Sequence, residues 1–501
     1  MNLSLLLLVP SFTAIAVLLC KSDKQVKTIS LTGAAIQFVL AIDLLIQYWV
    51  LRSSGDRSAM MFQFDHTWFK FWRIHYHVGV DGISIAMILL TAFVVLAGIL
   101  VSFTTAKWEK EFFFLLLLMS VGAYGFFISL DLFTLFFFLE ISVIPKFLLI
   151  GIWGSGKKEY SAMKLALMLM GGSALVFVGL LGLYYQTQDI TGYHTFDLLK
   201  IAEMHIEKKA QLIFFPPLFV GFGVFTALFP FHTWVPDGHS SAPTGASMFL
   251  AGISMKLGGY GCLRVATYLM PEASRTYAPI IILLATIAII YGAFATMMQN
   301  DLKYINAYSS VSHCGFILLG IGMLTQTSII GAVMQMVSHG LMTALFFASI
   351  GMIYSRTHTR LVGQLGGLLK IMPFISTVFV IAGLCSLGLP GFSGFVAEIT
   401  VFMGSWQNPD KWYRTATILA CASIVVTAVY ILGAVGQAIM GPTRNKNFQL
   451  FPDASWNERL AAVILVAGIV AMGVAPFWMN DLLRPGSETI MQHIERALTI
   501  K

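Results

Sequence analysis

Charged residues are scarce in this sequence. Asp, Glu, Lys and Arg make up 11% of the 501 residues, whereas a soluble protein carries about 25%. Hydrophobic residues make up 57%, and apolar runs of about 18 residues or more recur along the whole chain. The composition therefore indicates a polytopic membrane protein and not a soluble one.

Cysteine motifs and phosphate-binding loops are also missing. The five cysteines are far apart and show no CxxC or His/Cys spacing, so we expect no metal site, iron–sulfur cluster or disulfide framework. No glycine-rich loop follows a strand-like run, which leaves nucleotide binding without support. The formal charge of +7 comes largely from Lys and Arg in short loops, a pattern typical of membrane orientation and not of nucleic-acid binding.

The apolar runs predict an all-α fold with about fourteen transmembrane helices. Met1 to Leu19 has no basic segment and no cleavage site of small residues, so we interpret it as the first span and not as a signal peptide. The other predicted spans lie at about 29–50, 82–105, 112–130, 132–151, 162–184, 211–231, 245–267, 279–298, 304–323, 328–353, 372–403, 414–440 and 458–478.

These spans divide the chain into four predicted parts. They are helices 1–3 with a long outer loop (1–111), a first repeat (112–267), a second repeat (279–440), and helix 14 with a tail (441–501). The outer loop covers about 51–80, and its His66, His75 and His77 are predicted to be surface residues. The distribution of Lys and Arg in short loops places both termini outside the cytoplasm.

Two of the predicted helices contain interruptions. Helix 7 ends in LFPFHTWVP, with Pro230 and Pro236, and helix 12 contains LGLPGFSGFVAEI, with Pro390. Proline removes a backbone donor and clashes with the preceding helical turn. Interrupted helices at corresponding places in two halves are typical of inverted-repeat transporters, so helices 4–8 and 9–13 are predicted to be the two repeats. The alternative is a pair of ordinary proline kinks.

Five titratable residues lie deep inside predicted helices. They are Glu140 in helix 5, Lys256 in helix 8, His313 in helix 10, His339 in helix 11 and Glu398 in helix 12. A charged side chain at the centre of a bilayer costs about 2.5–3.5 kcal/mol or more, and such residues are usually found along ion or proton pathways. We therefore predict that the five share a hydrated line. The alternatives are a structural ion pair for Lys256 and satisfied core positions for the histidines.

Two further lysines occur near this group. Lys164 lies about one turn into helix 6, where its side chain can reach the membrane interface. Lys146 follows Pro145, six residues after Glu140, which places it about 120° away from Glu140 around a regular helix.

The stretch FHTWVPDGHSSAPTGASMFLAGISMKLGGYGCLR, from Phe231 to Arg264, carries a family resemblance. It resembles the M-type antiporter-like membrane subunits of respiratory complex I, the proton-pumping NADH:quinone oxidoreductase. The segments DLKYINAYSSVSHCGF and LGLPGFSGFVAEI are also similar to that family, and the resemblance extends over essentially the whole chain.

The resemblance implies a role for each candidate residue. Glu140 would be the helix 5 acid, Lys256 the central lysine and Glu398 the terminal proton-exchange acid. His313 and His339 would link these groups, and Lys164 matches the helix 6 lysine of the family.

One position departs from the family pattern. The family normally has a lysine in helix 7 about seven residues before the HxWxPD motif, and here Phe225 stands at that position. In the family that lysine pairs with the helix 5 acid and passes a proton towards the central lysine. Lys146 is the only nearby candidate for a replacement cation, and the alternative is that Lys146 extends to the membrane interface while Glu140 stays neutral.

The sequence therefore predicts a proton-translocating membrane-arm subunit of complex I in the cell inner membrane, with the mitochondrial inner membrane less favoured. The expected partners are other membrane-arm subunits, especially the L-type and N-type chains, together with lipids. NADH, FMN, iron–sulfur clusters and quinone are expected in partner subunits and not in this chain. The alternatives are a subunit of a cation/proton antiporter or membrane-bound hydrogenase, and a scaffold that has lost transport.

Overall fold

The computed structural model describes residues 1–105, 107–188, 192–445, 448 and 450–499, and this part of the chain is mainly helical. The first six long helices are α1 (Leu5–Leu19), α2 (Asp23–Ser53), α3 (Gly82–Val101), α4 (Glu109–Ile128), α5 (Leu132–Trp153) and α6 (Lys158–Gln186). They correspond to predicted helices 1–6. Nine helices in the described residues are long and apolar enough to cross a membrane, and the number of about fourteen spans stays a prediction.

Later helices are more often divided into pieces. They are α7 (Leu198–Glu203), α8 (Lys208–Phe225), α9 (Trp234–Ser241), α10 (Thr244–Phe249), α11 (Met255–Gly261), α12 (Pro271–Met297), α13 (Leu302–Gly322), α14 (Gln326–Thr357), α15 (Leu368–Ile371), α16 (Pro373–Ser386), α17 (Ser393–Trp406), α18 (Lys411–Ala434), α19 (Trp456–Val474) and α20 (Phe477–Thr499). Among them, α12 begins at Pro271 and so extends predicted helix 9, which was expected to begin at about 279.

Polar residues fix where several helices begin. The Asp81 side chain accepts a hydrogen bond from the Ser84 amide at the start of α3, and Asp131 accepts from the Phe133 and Thr134 amides at the start of α5. Each of these bonds satisfies a backbone donor that has no partner inside the helix. In an otherwise apolar sequence, these acids therefore define the helix boundaries.

The two predicted interruptions are confirmed. Predicted helix 7 consists of α8 and α9, which are separated at 226–233, and predicted helix 12 consists of α16 and α17, which are separated at 387–392. In each repeat the interrupted helix is the fourth, as the inverted-repeat prediction requires.

Predicted helix 8 is continuous but irregular. Two π-helical segments, Leu250–Ser254 and Cys262–Thr267, flank α11. Short π segments of this kind occur frequently at functional sites. They place Lys256 in a regular α-helical segment of seven residues between two widened segments.

Helices α3 and α14 form the centre of the bundle, since almost every residue of both is buried. Helices α2, α6 and α18 keep exposed apolar faces on the outside of the bundle. This distribution is expected when the outer surface contacts lipid or other membrane proteins.

The segment predicted to be an outer loop forms a hairpin. Strands β1 (Met61–Phe69) and β2 (Ile74–Val80) pair antiparallel. The prediction that His77 is a surface residue is wrong, because its ring is buried and its Nδ1 lies 3.0 Å from Asp197 Oδ2. The C-terminal tail is also structured, since α20 buries one face through Met479, Leu483 and Ile490.

Candidate functional site

Lys256 lies at the centre of the bundle with no exposed side-chain surface. Its Nζ is 2.8 Å from His339 Nδ1 on α14. The ammonium also donates to the Ala251 carbonyl oxygen at 2.5 Å, within the first π segment. Lys256 is thus in direct hydrogen-bond contact with a histidine, and this contact joins predicted helices 8 and 11.

The line continues from His339 to His313. The two imidazole rings have centroids 5.4 Å apart. His313 Nδ1 lies 3.2 Å from Gln335 Nε2 and 3.5 Å from Glu398 Oε1, and its Nε2 lies 3.0 Å from Ser386 Oγ. Lys256, His339, His313 and Glu398 therefore follow one another through four different helices.

Glu398 ends the line next to the interruption of predicted helix 12. Gly388 lies in that interruption with φ +71, and a Cβ at this position would stand 2.5 Å from Glu398 Oε2. Glycine adopts this left-handed conformation at little cost and leaves room beside it. The broken helix therefore opens a space that the buried carboxylate occupies.

Several polar atoms along the line have no hydrogen-bond partner among the described residues. They include His339 Nε2, Gln335 Oε1 and both ring nitrogens of His239. Buried polar atoms of this kind are the usual binding positions of internal water. The surroundings of the line are thus more polar than the composition of the helices suggests.

The first repeat is arranged differently. Lys146 is fully buried, with its Nζ 3.1 Å from Ser142 Oγ and 5.8 Å from the centre of the Phe225 ring. The alternative that Lys146 extends to the interface is therefore wrong. No ion pair joins Lys146 to Glu140 in the described structure, in agreement with their angular separation on α5.

Glu140 lies on the outer face of α5. It is half-buried, and Phe137 and Ile144, one turn to either side, are 41% and 65% exposed. Its Oε1 atom is buried without a hydrogen-bond partner in the described chain. Glu140 is thus separate from the Lys256 line and faces the surface of the subunit.

Lys164 also lies away from the line. Its Nζ forms an ion pair of 2.7 Å with Asp237 on α9, and the Tyr304 hydroxyl contacts the other oxygen of Asp237 at 3.4 Å. Asp237 thus holds Lys164 at the first turn of α9, whereas the sequence suggested only that the lysine reaches the interface.

A buried ion pair joins Arg264 to Asp81, and the sequence did not predict it. The Arg264 guanidinium bonds the Asp81 carboxylate and lies near the ring of Tyr260, whose hydroxyl contacts Ser84. The available signals were an arginine at the end of an apolar run and an aspartate just before another. Because the partners are 183 positions apart, helical spacing could not join them.

A separate polar cluster, the outer cluster, lies beside the β1–β2 hairpin and includes His77, Asp131 and Asp197. Burial raises the pKa of the Asp131 carboxyl to about 6, although backbone amides of α5 and of His75 oppose the shift. Burial also acts to raise the pKa of Asp197, but the His77 ring and the Lys200 amide outweigh it, so this pKa lies below its usual value. In the described residues, no group of three or more His, Cys, Asp or Glu side chains is arranged to hold a metal ion.

Comparisons with known proteins agree on one family. The family model described as NADH:quinone oxidoreductase/Mrp antiporter, TM, matches residues 129–426. NADH-quinone oxidoreductase subunit M of Rickettsia bellii is 35% identical over 478 residues, covering 94% of this chain and 93% of that protein. NAD(P)H-quinone oxidoreductase chain 4-2 of Synechocystis is 37% identical over 427 residues, covering 84% of this chain and 74% of that protein.

Solved structures show the same fold. A chain of respiratory complex I from Thermus thermophilus superimposes with a TM-score of 0.88 at 25% identity, covering 98% of this chain and 99% of that chain. A chain of the Mrp complex from Dietzia superimposes with a TM-score of 0.84 at 18% identity, covering 99% of each.

Proposed function

The chain belongs to the NADH:quinone oxidoreductase/Mrp antiporter family of membrane subunits, and we propose from this premise that it is the M-type subunit of a complex I. In this role it translocates protons across the membrane, driven by electron transfer in other subunits. The residues that carry the proton are Lys256, His339, His313 and Glu398. NADH, FMN, iron–sulfur clusters and quinone then belong to partner subunits.

The buried contact series from Lys256 to Glu398 is the observation that supports this proposal most directly. Each of the four side chains can gain and lose a proton, and each has a neighbour in the series at short range. Proton transfer proceeds through a direct contact, such as the one of 2.8 Å between Lys256 and His339, or through a single intervening water. The wider separations of His339 from His313 and of His313 from Glu398 require such a water. A purely structural network of this size would bury titratable groups at considerable cost without using them.

The electrostatic energies are large enough for coupling. Two unit charges about 4 Å apart interact by about 4 kcal/mol at an effective dielectric constant of 20. Moving one charge across 100 mV requires about 2.3 kcal/mol. A change of charge on one member of the series can therefore shift a proton on the next.

Replacing Lys256 by Met tests the proposal, because it removes the titratable group and roughly keeps the volume. Proton uptake per NADH oxidised is measured in vesicles containing the intact complex, together with complex content. We expect reduced proton uptake in a fully assembled complex. Unchanged uptake would contradict transport through this line and favour the scaffold alternative, in which the chain only holds the membrane arm together.

The exposed face of α5 that includes Phe137, Glu140 and Ile144 favours contact with a neighbouring subunit. A half-buried carboxylate between two exposed apolar residues is unfavourable against lipid, so we assign the Phe137–Ile144 face to a neighbouring membrane-arm subunit, of the L or N type. The similarity to a bacterial subunit M supports the bacterial cytoplasmic membrane as the location of this chain. A photo-crosslinker at Ile144 should attach to that neighbour in the intact complex, and its attachment only to lipid would reject this interface.

A further inference from the structure

The side chains of Lys146 and Phe225 meet in one buried pocket between α5 and α8. The Lys146 ammonium lies 5.8 Å from the Phe225 ring centre, within the range of a cation–π interaction. Neither side chain is more than 1% exposed. A side chain at position 225 and a side chain at position 146 therefore reach the same place from two different helices.

Two polar groups also stabilise the cation. The Lys146 ammonium donates a hydrogen bond to Ser142 Oγ, one turn back on α5, and the Glu140 carboxylate attracts it without forming an ion pair. An ammonium buried among apolar residues with one hydroxyl partner is costly, and an aromatic ring offsets part of this cost. A lysine buried here lowers the stability of the folded chain, and this cost favours a functional role for Lys146.

The pocket also adjoins the helix that carries Lys256. Thr226, the residue after Phe225, closes on Gly258, where an added Cβ would meet Thr226 Oγ1 at 2.3 Å and the Phe222 carbonyl oxygen at 2.4 Å. Gly258 lies two residues after Lys256 on α11. The end of α8, which carries Phe225, therefore packs against the helix that carries Lys256.

We propose that Lys146 is the proton-carrying cation of the first repeat, that Phe225 positions it, and that positions 146 and 225 together form a single cation site. The lysine absent from α8 is thereby supplied by α5. In the step, an N–H bond of the Lys146 ammonium breaks and the proton bonds to an oxygen or nitrogen acceptor, leaving a neutral amine, with no electron exchanged. This inference rests on the proposed function, since it names a further carrier in the same transport path.

The test is a reciprocal exchange of the two side chains in the intact complex. The variants are Lys146→Met, Phe225→Lys and the double variant, and the readout is proton uptake per NADH oxidised, with complex content measured in parallel. The share of uptake lost in Lys256→Met serves as the reference. We expect Lys146→Met to lose the same share of uptake, with transport through this chain slower by about 100-fold or more, the effect of losing one positioned proton-transfer group.

The exchange predicts strong non-additivity. Phe225→Lys alone places two cations in one apolar pocket and should also lose transport, whereas the double variant again holds one cation and should recover most of it. A double variant as poor as Lys146→Met, in a fully assembled complex, would overturn the idea of one shared site.

Lys146→Arg separates a proton carrier from a fixed charge. Arginine keeps the positive charge and the contact with the ring but does not release its proton, so a carrier role predicts loss of transport with normal assembly. Wild-type transport in Lys146→Arg would overturn the carrier role. Phe225→Leu keeps an apolar side chain without the ring and should give a partial loss, and no loss would reject the positioning role of Phe225.

The two proposals fail in different ways. If Lys256→Met has no effect, the proposed function itself fails. If Lys256→Met lowers uptake while Lys146→Met behaves like the wild type, the line from Lys256 to Glu398 stands and only the inference about Lys146 is rejected.

Discussion

The two interrupted helices share a backbone design but differ in chemistry. At the α16–α17 interruption, Glu398 fills the space beside Gly388 and contacts His313. At the α8–α9 interruption, the last helical residue is Phe225, and the Lys146 ammonium of α5 lies 5.8 Å from its ring centre. The two breaks therefore have different neighbours, a buried carboxylate at one and an aromatic ring beside a lysine at the other.

The two interruptions also differ in the residues that adopt positive φ angles. The α16–α17 interruption uses two glycines with positive φ, Gly388 and Gly391, whereas the α8–α9 interruption places Ala227 at φ 67. A non-glycine residue in this region is uncommon and costs energy. We infer that the glycines provide room beside the backbone where the Glu398 carboxylate enters the break.

Glu398→Gln tests the difference between the two interruptions and is expected to have the largest effect on proton uptake. The amide keeps the shape of the side chain but cannot exchange a proton, so the α16–α17 interruption would lose its titratable side chain. Proton uptake per NADH oxidised should fall strongly with normal complex content, and Glu398→Asp should be milder. The matched control is Glu488→Gln on the exposed face of α20, which should behave like the wild type. Normal uptake in Glu398→Gln would leave Glu398 with a structural role only.

A smaller effect is expected from Gly388→Ala. The new Cβ would meet Glu398 Oε2 and the residue would have an unfavourable positive φ, so the carboxylate must move away from His313. Gly391→Ala is the matched control, since it has φ +98 but no atom within 4 Å of the added Cβ. Backbone strain alone costs about 1–3 kcal/mol in both variants. Transport should therefore fall severalfold more in Gly388→Ala, and equal losses would refute a specific role for the space.

The smallest effect on transport is expected from Asp197→Asn in the outer cluster. This change weakens the contact with His77 that fastens β2, by about 1.5–3 kcal/mol for a hydrogen bond to a charged group, and leaves both interruptions untouched. Proteolysis at the hairpin should accelerate while proton uptake stays normal. Reduced uptake in an intact complex would show that the outer cluster takes part in transport.

The same contact should depend on pH. Because the pKa of Asp197 is below its ordinary value of 3.8 in the folded protein, its stabilising contribution is present above that value and is lost as the pH falls through the folded pKa. Proteolysis of the wild-type hairpin should therefore approach that of Asp197→Asn only at a pH below about 4. Accelerated cleavage already at neutral pH would contradict this assignment.

The sequence predicted the helical class, both interruptions and the depth of Lys256, His313, His339 and Glu398. These features depend on local composition, on proline and glycine, and on the cost of burying charge. It did not predict which groups touch. The contact of Lys256 with His339, and the separation of Glu140 from Lys146, depend on how helices rotate against one another, and helical spacing within one segment does not determine this rotation.

Two elements were missed for different reasons. The hairpin was interpreted as a loop because its residues are polar and aromatic in a chain where apolar runs dominate, although Met61–Phe69 and Ile74–Val80 are short runs of a length typical of strands. The amphipathic helix α20 was interpreted as a tail, because a helix that lies on a surface has too few apolar residues to resemble a span.

The π segment before Lys256 has a consequence for how the lysine is held. In a regular α-helix the carbonyl of residue i bonds the amide of residue i+4, but Ala251 lies in a widened turn and its carbonyl accepts from the side chain of the residue five positions later. The lysine therefore carries within its own helix a resting acceptor for its ammonium group, independent of His339. The position of the ammonium is therefore fixed partly by the backbone of its own helix and not by His339 alone.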